Sequence, residues 1–139
     1  MKILKAEKSI RVRFSEVDSM GIVWHGSYPL YFEDAREEFG RRYKLEYMRM
    51  YDFGFFAPLV NLSFNYKKPI RHGDQIRVEI TYRDTPAAKI CFDYSIYLEE
   101  TGELIATGSS TQVFLNHDYQ LVLSVPDFFN EWKKINGLI

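Results

Sequence analysis

The residues whose types and spacing can do chemistry lie in one stretch, Arg13-Phe14-Ser15-Glu16-Val17-Asp18-Ser19-Met20-Gly21-Ile22-Val23-Trp24-His25-Gly26-Ser27-Tyr28. It places the Asp18 carboxylate, an apolar turn containing Gly21 and the His25 imidazole just ahead of a segment with helical periodicity. Unpaired N–H groups and the positive dipole at a helix start polarise a carbonyl and hold a developing oxyanion. A carboxylate on the other side of that carbonyl can attack it, or activate a water to do so. The same residues equally describe a loop with a capping Asp and a structural His, and spacing alone leaves both open.

The elements around this stretch follow from periodicity. Ile10, Val12 and Phe14 alternate with Arg11, Arg13 and Ser15, which predicts a half-buried strand, and residues 17–27 read as a loop. From Tyr28 the period changes: Phe32, Ala35, Phe39 and Tyr43 recur at three- and four-residue steps, with charged residues between them. A helix is expected over about 28–45, with Ser27 as N-cap and Pro29 in its first turn. Four further strands are expected: Val60–Tyr66, Gln75–Tyr82, Ile90–Leu98 and Leu104–Leu115. Turns are expected at His72-Gly73-Asp74, at Thr85-Pro86 and at Glu100-Thr101-Gly102. Ser124-Val125-Pro126-Asp127 opens a short final helix, with an acidic residue at N3 and with Phe128, Phe129, Trp132 and Ile135 as its buried face. One long helix beside an antiparallel sheet of five or more strands is an α+β domain, and residues 1–139 are expected to form it alone. Such a sheet leaves an edge, which a second copy can pair with to give a two-fold dimer.

Composition excludes several classes. The 139 residues are 46% hydrophobic and 27% charged, ordinary for a folded chain and wrong for a disordered one. Eighteen Lys and Arg against nineteen Asp and Glu give a formal charge of -1, which argues against a nucleic-acid binder. A single cysteine, Cys91, rules out an internal disulfide, and with three histidines it makes a poor zinc set, so no metal or cofactor is expected. The charges interleaved through residues 1–8 do not suit a signal peptide, and no apolar run is long enough to span a bilayer. The expectation is a soluble, cytoplasmic protein without a membrane association.

The pattern Asp18-x-x-Gly21-x-Val23-x-His25-x-x-Tyr28, followed by Phe32-Glu33-x-Ala35-Arg36, resembles the signature of the 4-hydroxybenzoyl-CoA thioesterase family of hotdog-fold acyl-CoA thioesterases. Tyr66-x-x-Pro69-x-x-x-Gly73-Asp74, the hairpin at Gly102 and Ala106-x-Gly108 agree with it, so the resemblance runs over about residues 8–130. It implies a sheet wrapped around the long helix. Two chains would share a continuous sheet and carry their active sites at the interface, as a dimer or a tetramer. On the matching positions Asp18 is the catalytic carboxylate, and the backbone N–H at His25 helps to bind the thioester carbonyl. Some family members have Tyr in place of His25; Val17 stands where Thr or Cys is common, and Ser27 where Asn is common.

Gly26, Tyr28, Ser63, Lys67 and Arg71 are the candidate substrate-binding residues beside Asp18 and His25. Lys67, Lys68, Arg71 and His72 form the densest basic cluster, suited to the phosphates of coenzyme A or to an acidic carrier protein. Hydrolysis of an acyl-CoA is the leading expectation. An acyl-carrier-protein thioesterase and a non-catalytic acyl-CoA binding module are the alternatives.

Overall fold

The computed structural model describes residues 2–139. Strand β1 (Lys5–Arg11) leads through two short 3-10 turns into helix α1 (Tyr28–Tyr43). Helix α2 (Tyr47–Asp52) and strands β2 (Phe55–Phe56), β3 (Leu59–Tyr66), β4 (Gln75–Arg83), β5 (Lys89–Leu98), β6 (Leu104–Asn116) and β7 (Leu121–Val122) follow, and helix α3 (Asp127–Ile135) ends the order. Among the described residues the seven strands make one sheet, ordered β1-β4-β5-β6, with β2 and β3 on the far side of β6 and β7 pairing the end of β6 on the edge opposite β2. Every pairing is antiparallel. This is the α+β architecture expected, a sheet curled over one long helix.

Sheet alternation sets what faces the helix. Ile76, Val78, Ile80 and Tyr82 of β4 and Ile90, Phe92, Tyr94 and Ile96 of β5 are buried beneath α1. From α1 itself Tyr28, Tyr31, Phe32, Ala35, Phe39 and Gly40 are buried. Phe32 packs tightly onto the sheet. Its ring stacks on Tyr94 at 4.2 Å and lies 5.2 Å from Phe64 on the other side. Gly108 of β6 lies against the same ring, where a Cβ would collide with Phe32 and with the Ser63 carbonyl. A polar tie runs beside this stack: Arg36 donates to the Tyr94 hydroxyl at 3.0 Å, which shares a 2.7 Å bond with Ser110.

Several local expectations need correction. Phe14 is not an inward strand residue: β1 starts earlier and ends at Arg11, and Phe14 opens a 3-10 turn, 79% exposed. The turn forms because the Glu16 carboxylate accepts the Arg13 N–H at 2.8 Å and breaks the ladder. Ser27 does not cap α1. Its backbone is already helical, and its hydroxyl donates to the Glu16 carbonyl at 3.0 Å. Asp127 is the first residue of α3 behind Pro126, not an N3 cap, and Ile135 is 75% exposed. The buried face of α3 is Phe129, Trp132 and Lys133, the last anchored by Asp84 at 3.0 Å and the Thr85 carbonyl at 2.8 Å. The expected turns at Gly73 and Gly102 are present, both with positive φ.

Candidate active site

Asp18 sits at the tip of a small hairpin that the sequence builds from a turn glycine. Val17 bridges Val23, the Asp18 N–H reaches the Ile22 carbonyl at 2.8 Å, and the Gly21 N–H returns to the Asp18 carbonyl at 3.0 Å. Gly21 holds φ +77, a conformation that costs most other residues about 1–2 kcal/mol. The Asp18 Oδ1 accepts the Met20 N–H at 2.8 Å, so the carboxylate also caps its own turn. The hairpin is tied to the rest of the fold by Val23 N–H to the Ile70 carbonyl, 2.7 Å, and His72 N–H to the Gly21 carbonyl, 3.0 Å.

The start of α1 is the second component. His25–Ser27 form a 3-10 turn that runs directly into the helix. The Ser27 N–H bonds the Trp24 carbonyl at 2.8 Å, while the N–H groups of His25 and Gly26 begin the turn and have no acceptor within it. The His25 ring is exposed and packs on Trp24 at 5.0 Å. The Trp24 ring lies over Gly26, leaving no room there for a Cβ.

These two components share a cleft of about 420 Å³ lined by Asp18, Met20, Ile22, Val23, His25, Tyr28, Tyr66, Lys67, Lys68 and Pro69. Tyr28 is its buried wall, edge-on to Tyr66 at 4.7 Å. Burial, and to a lesser degree Tyr66, pushes its hydroxyl above the usual tyrosine range, so it stays neutral. Lys68 is ion-paired to Glu103, whereas Lys67 carries no ion pair among the described residues.

The structure therefore brings Asp18, His25, Tyr28 and Lys67 to one cleft, with Gly26 beside it. It does not bring Ser63 or Arg71 there. Ser63 points to the sheet face away from α1, because Leu62 and Phe64 take the helix side, and it bonds the Ser109 hydroxyl at 2.6 Å. Arg71 is exposed in the next turn, where its N–H binds Asp74 at 2.8 Å. Tyr66 and Pro69 were legible only as parts of a motif, and their place as cleft walls comes from the register of β3 on β6. Among the described residues no cluster of His, Cys, Asp and Glu is arranged to hold a metal ion, and no helix is long and apolar enough to cross a membrane.

A family model for the thioesterase-like superfamily matches residues 12–133. The chain belongs to that superfamily. It is accordingly a thioester hydrolase with the hotdog fold. A solved DHNA-CoA thioesterase from Staphylococcus aureus superposes with a TM-score of 0.84 at 28% identity, covering 96% of this chain and 92% of that one. A Bacillus subtilis protein whose naming as an acyl-CoA thioesterase is provisional is 28% identical over 127 residues, 91% of each chain. An acyl-acyl carrier protein thioesterase of Arabidopsis thaliana is 28% identical over 116 residues, 84% of this chain and 61% of that one.

Proposed function

We propose that this thioesterase hydrolyses an acyl-CoA to the free acid and coenzyme A, with Asp18 and the start of α1 as its working parts. The observation that carries this reading is the shared cleft: a carboxylate on one wall, a helix start with unused N–H groups on the other, and Lys67 at the rim. With the thioester between them, the N–H groups of His25 and Gly26 donate to the developing oxyanion. Asp18 then either attacks the carbonyl carbon, giving an anhydride that water opens, or takes a proton from the water that attacks. In both routes the C–S bond breaks, the thiolate leaves and is protonated, and one water is consumed. Oxygen-18 water in a single turnover tests for the nucleophilic route: water that opens the anhydride at the aspartyl carbonyl leaves the label in Asp18, whereas the general-base route always places it in the product. Tyr28 and Tyr66 form the apolar wall, and the Lys67 ammonium faces the phosphates.

Two copies complete the site. The outer edge of β3 pairs with no strand among the described residues, while its other edge is laddered to β6 with one register shift between Leu59 and Asn61. Pairing β3 with itself about a two-fold removes that exposed edge. It sets the Leu59 end of one strand beside Tyr66 of the other. A hollow of about 300 Å³ floored by Phe39, Met50, Ala57, Leu59 and Phe92 opens at that end, and supports an acyl group held by the neighbouring subunit.

Thiol release from acetyl- to palmitoyl-CoA, with benzoyl, 4-hydroxybenzoyl and phenylacetyl esters, tests the substrate, alongside the matching carrier-protein esters. Faster turnover of the CoA esters is expected. Faster turnover of a carrier-protein ester would transfer the assignment to that substrate, which the relative from Arabidopsis acts on by name.

A further inference from the structure

Glu16 lies two residues before Asp18 and ties the turn at residues 13–16 to α1 and to the turn that begins it. Its Oε1 accepts the Arg13 N–H at 2.8 Å and the Tyr31 hydroxyl at 3.1 Å. Its backbone carbonyl accepts the Trp24 N–H at 2.9 Å and the Ser27 hydroxyl at 3.0 Å. A side chain that merely closed the 3-10 turn at residues 14–16 would need the Arg13 bond alone, yet the Glu16 carboxylate also takes the Tyr31 hydroxyl of α1. The two bonds to its backbone carbonyl bring the turn that begins α1 to the same residue. Tyr31 and Ser27 are both buried, so their hydroxyls have no water to turn to, and the network holds them in one arrangement. Burial and the Glu16 charge together push the Tyr31 hydroxyl far above its ordinary range, which keeps it a donor to that carboxylate.

The hairpin bearing Asp18 and the helix start bearing His25 have few other ties to each other. Val17–Val23 closes the hairpin, and Ile70 and Gly21 fasten it to the β3–β4 connection, not to α1. We infer that Glu16 is a positioning residue: it fixes the separation between the Asp18 carboxylate and the first N–H groups of α1, and does so as a hydrogen-bond acceptor, not through its charge. This rests on Asp18 and the helix start being the working parts.

The test measures kcat, KM and thermal stability for Glu16→Ala, Glu16→Gln, Tyr31→Phe and Asp18→Asn on the best substrate. Loosening the two parts should lower kcat about 10- to 100-fold in Glu16→Ala with KM little changed, since misplacement of about 1 Å costs on that scale. Glu16→Gln keeps an oxygen acceptor at Oε1 and should recover kcat to within about threefold of wild type, whereas Tyr31→Phe, which removes only the helix tether, should fall between. A folded Glu16→Ala with wild-type kcat overturns the inference, and so does a Glu16→Gln as impaired as Glu16→Ala, because the carboxylate would then be acting by charge. If Glu16→Ala does not fold, Tyr31→Phe decides: wild-type kcat in it overturns the inference. An active Asp18→Asn would instead remove the site assignment itself, whatever Glu16 does.

Discussion

Gly108→Ala is the sharpest test of how α1 is seated on the sheet. A Cβ at this position would lie 2.5 Å from the Ser63 carbonyl oxygen and closer still to the Phe32 ring, about 1 Å inside van der Waals contact. Neither neighbour has room to give. Ser63 is laddered into β3 on β6, and Phe32 is fully buried between Tyr94 and Phe64. Overpacking against two rigid neighbours costs about 3 kcal/mol, the upper part of the usual range. Replacing a strand glycine returns roughly 0.5–1 kcal/mol of backbone entropy, so packing wins and the net loss is about 2 kcal/mol. For a chain of this length that is a fall in Tm of roughly 6 °C. Urea unfolding followed by circular dichroism should show a lower midpoint with an unchanged slope. Because the methyl pushes Phe32 and hence α1 away from β6, kcat should fall as well. A loss below about 0.5 kcal/mol would refute the close packing, since no relaxation of that site is then being resisted.

Lys133→Met should cost about 3 kcal/mol in the same unfolding assay, as truncation strands the Thr85 carbonyl and leaves Asp84 with only the Tyr82 hydroxyl. Asp84 is partly exposed and can rehydrate, which holds the figure to the low end of the range for broken buried pairs. Tyr31 and Tyr82 are held neutral by burial, with Glu16 and Asp84 adding to the effect. The folded state thus binds more protons than the unfolded state above about pH 10, and stability should be level below that pH and fall above it. The slope is about 1.4 kcal/mol per pH unit for each tyrosine, and unfolding from pH 9 to 11 should show Tyr31→Phe losing one such share. If β3 pairs with a second copy as proposed, wild type should sediment as a dimer at micromolar concentration and Val60→Lys on the exposed edge strand as a folded monomer.

How legible each element was depends on the range of the contacts that define it. Helix α1 could be read because Phe32, Ala35 and Phe39 repeat at its own period, and β4 and β5 because theirs do. Helix α2 carries one buried residue, Met50, and so has no periodicity to detect. Phe14 continued an alternation that a local bond from Glu16 had already ended. Ser27 had the composition of a cap, but its hydroxyl is drawn to a carbonyl eleven residues away. Lys133 was not among the residues expected on the buried face of α3, because Asp84 and Thr85, which hold it there, lie far from it in sequence. In the candidate site, Asp18, His25 and Tyr28 were readable from one contiguous stretch. Alternation with Leu62 and Phe64 put Ser63 on the polar face of its strand, but only the fold shows that this face turns away from the cleft, and Glu16 carried no signal because Tyr31 reaches it only once α1 packs against the turn.

The central claim is that the Asp18 carboxylate performs the hydrolysis, and replacement by the isosteric amide tests it most directly. Asp18→Asn keeps an Oδ1 acceptor for the Met20 N–H, and with it the turn, while removing the charge. Steady-state thiol release on the best acyl-CoA should fall by at least about 100-fold in kcat, with a Tm close to wild type. A folded Asp18→Asn that retained most of its kcat would contradict the account and return Asp18 to the role of a turn cap.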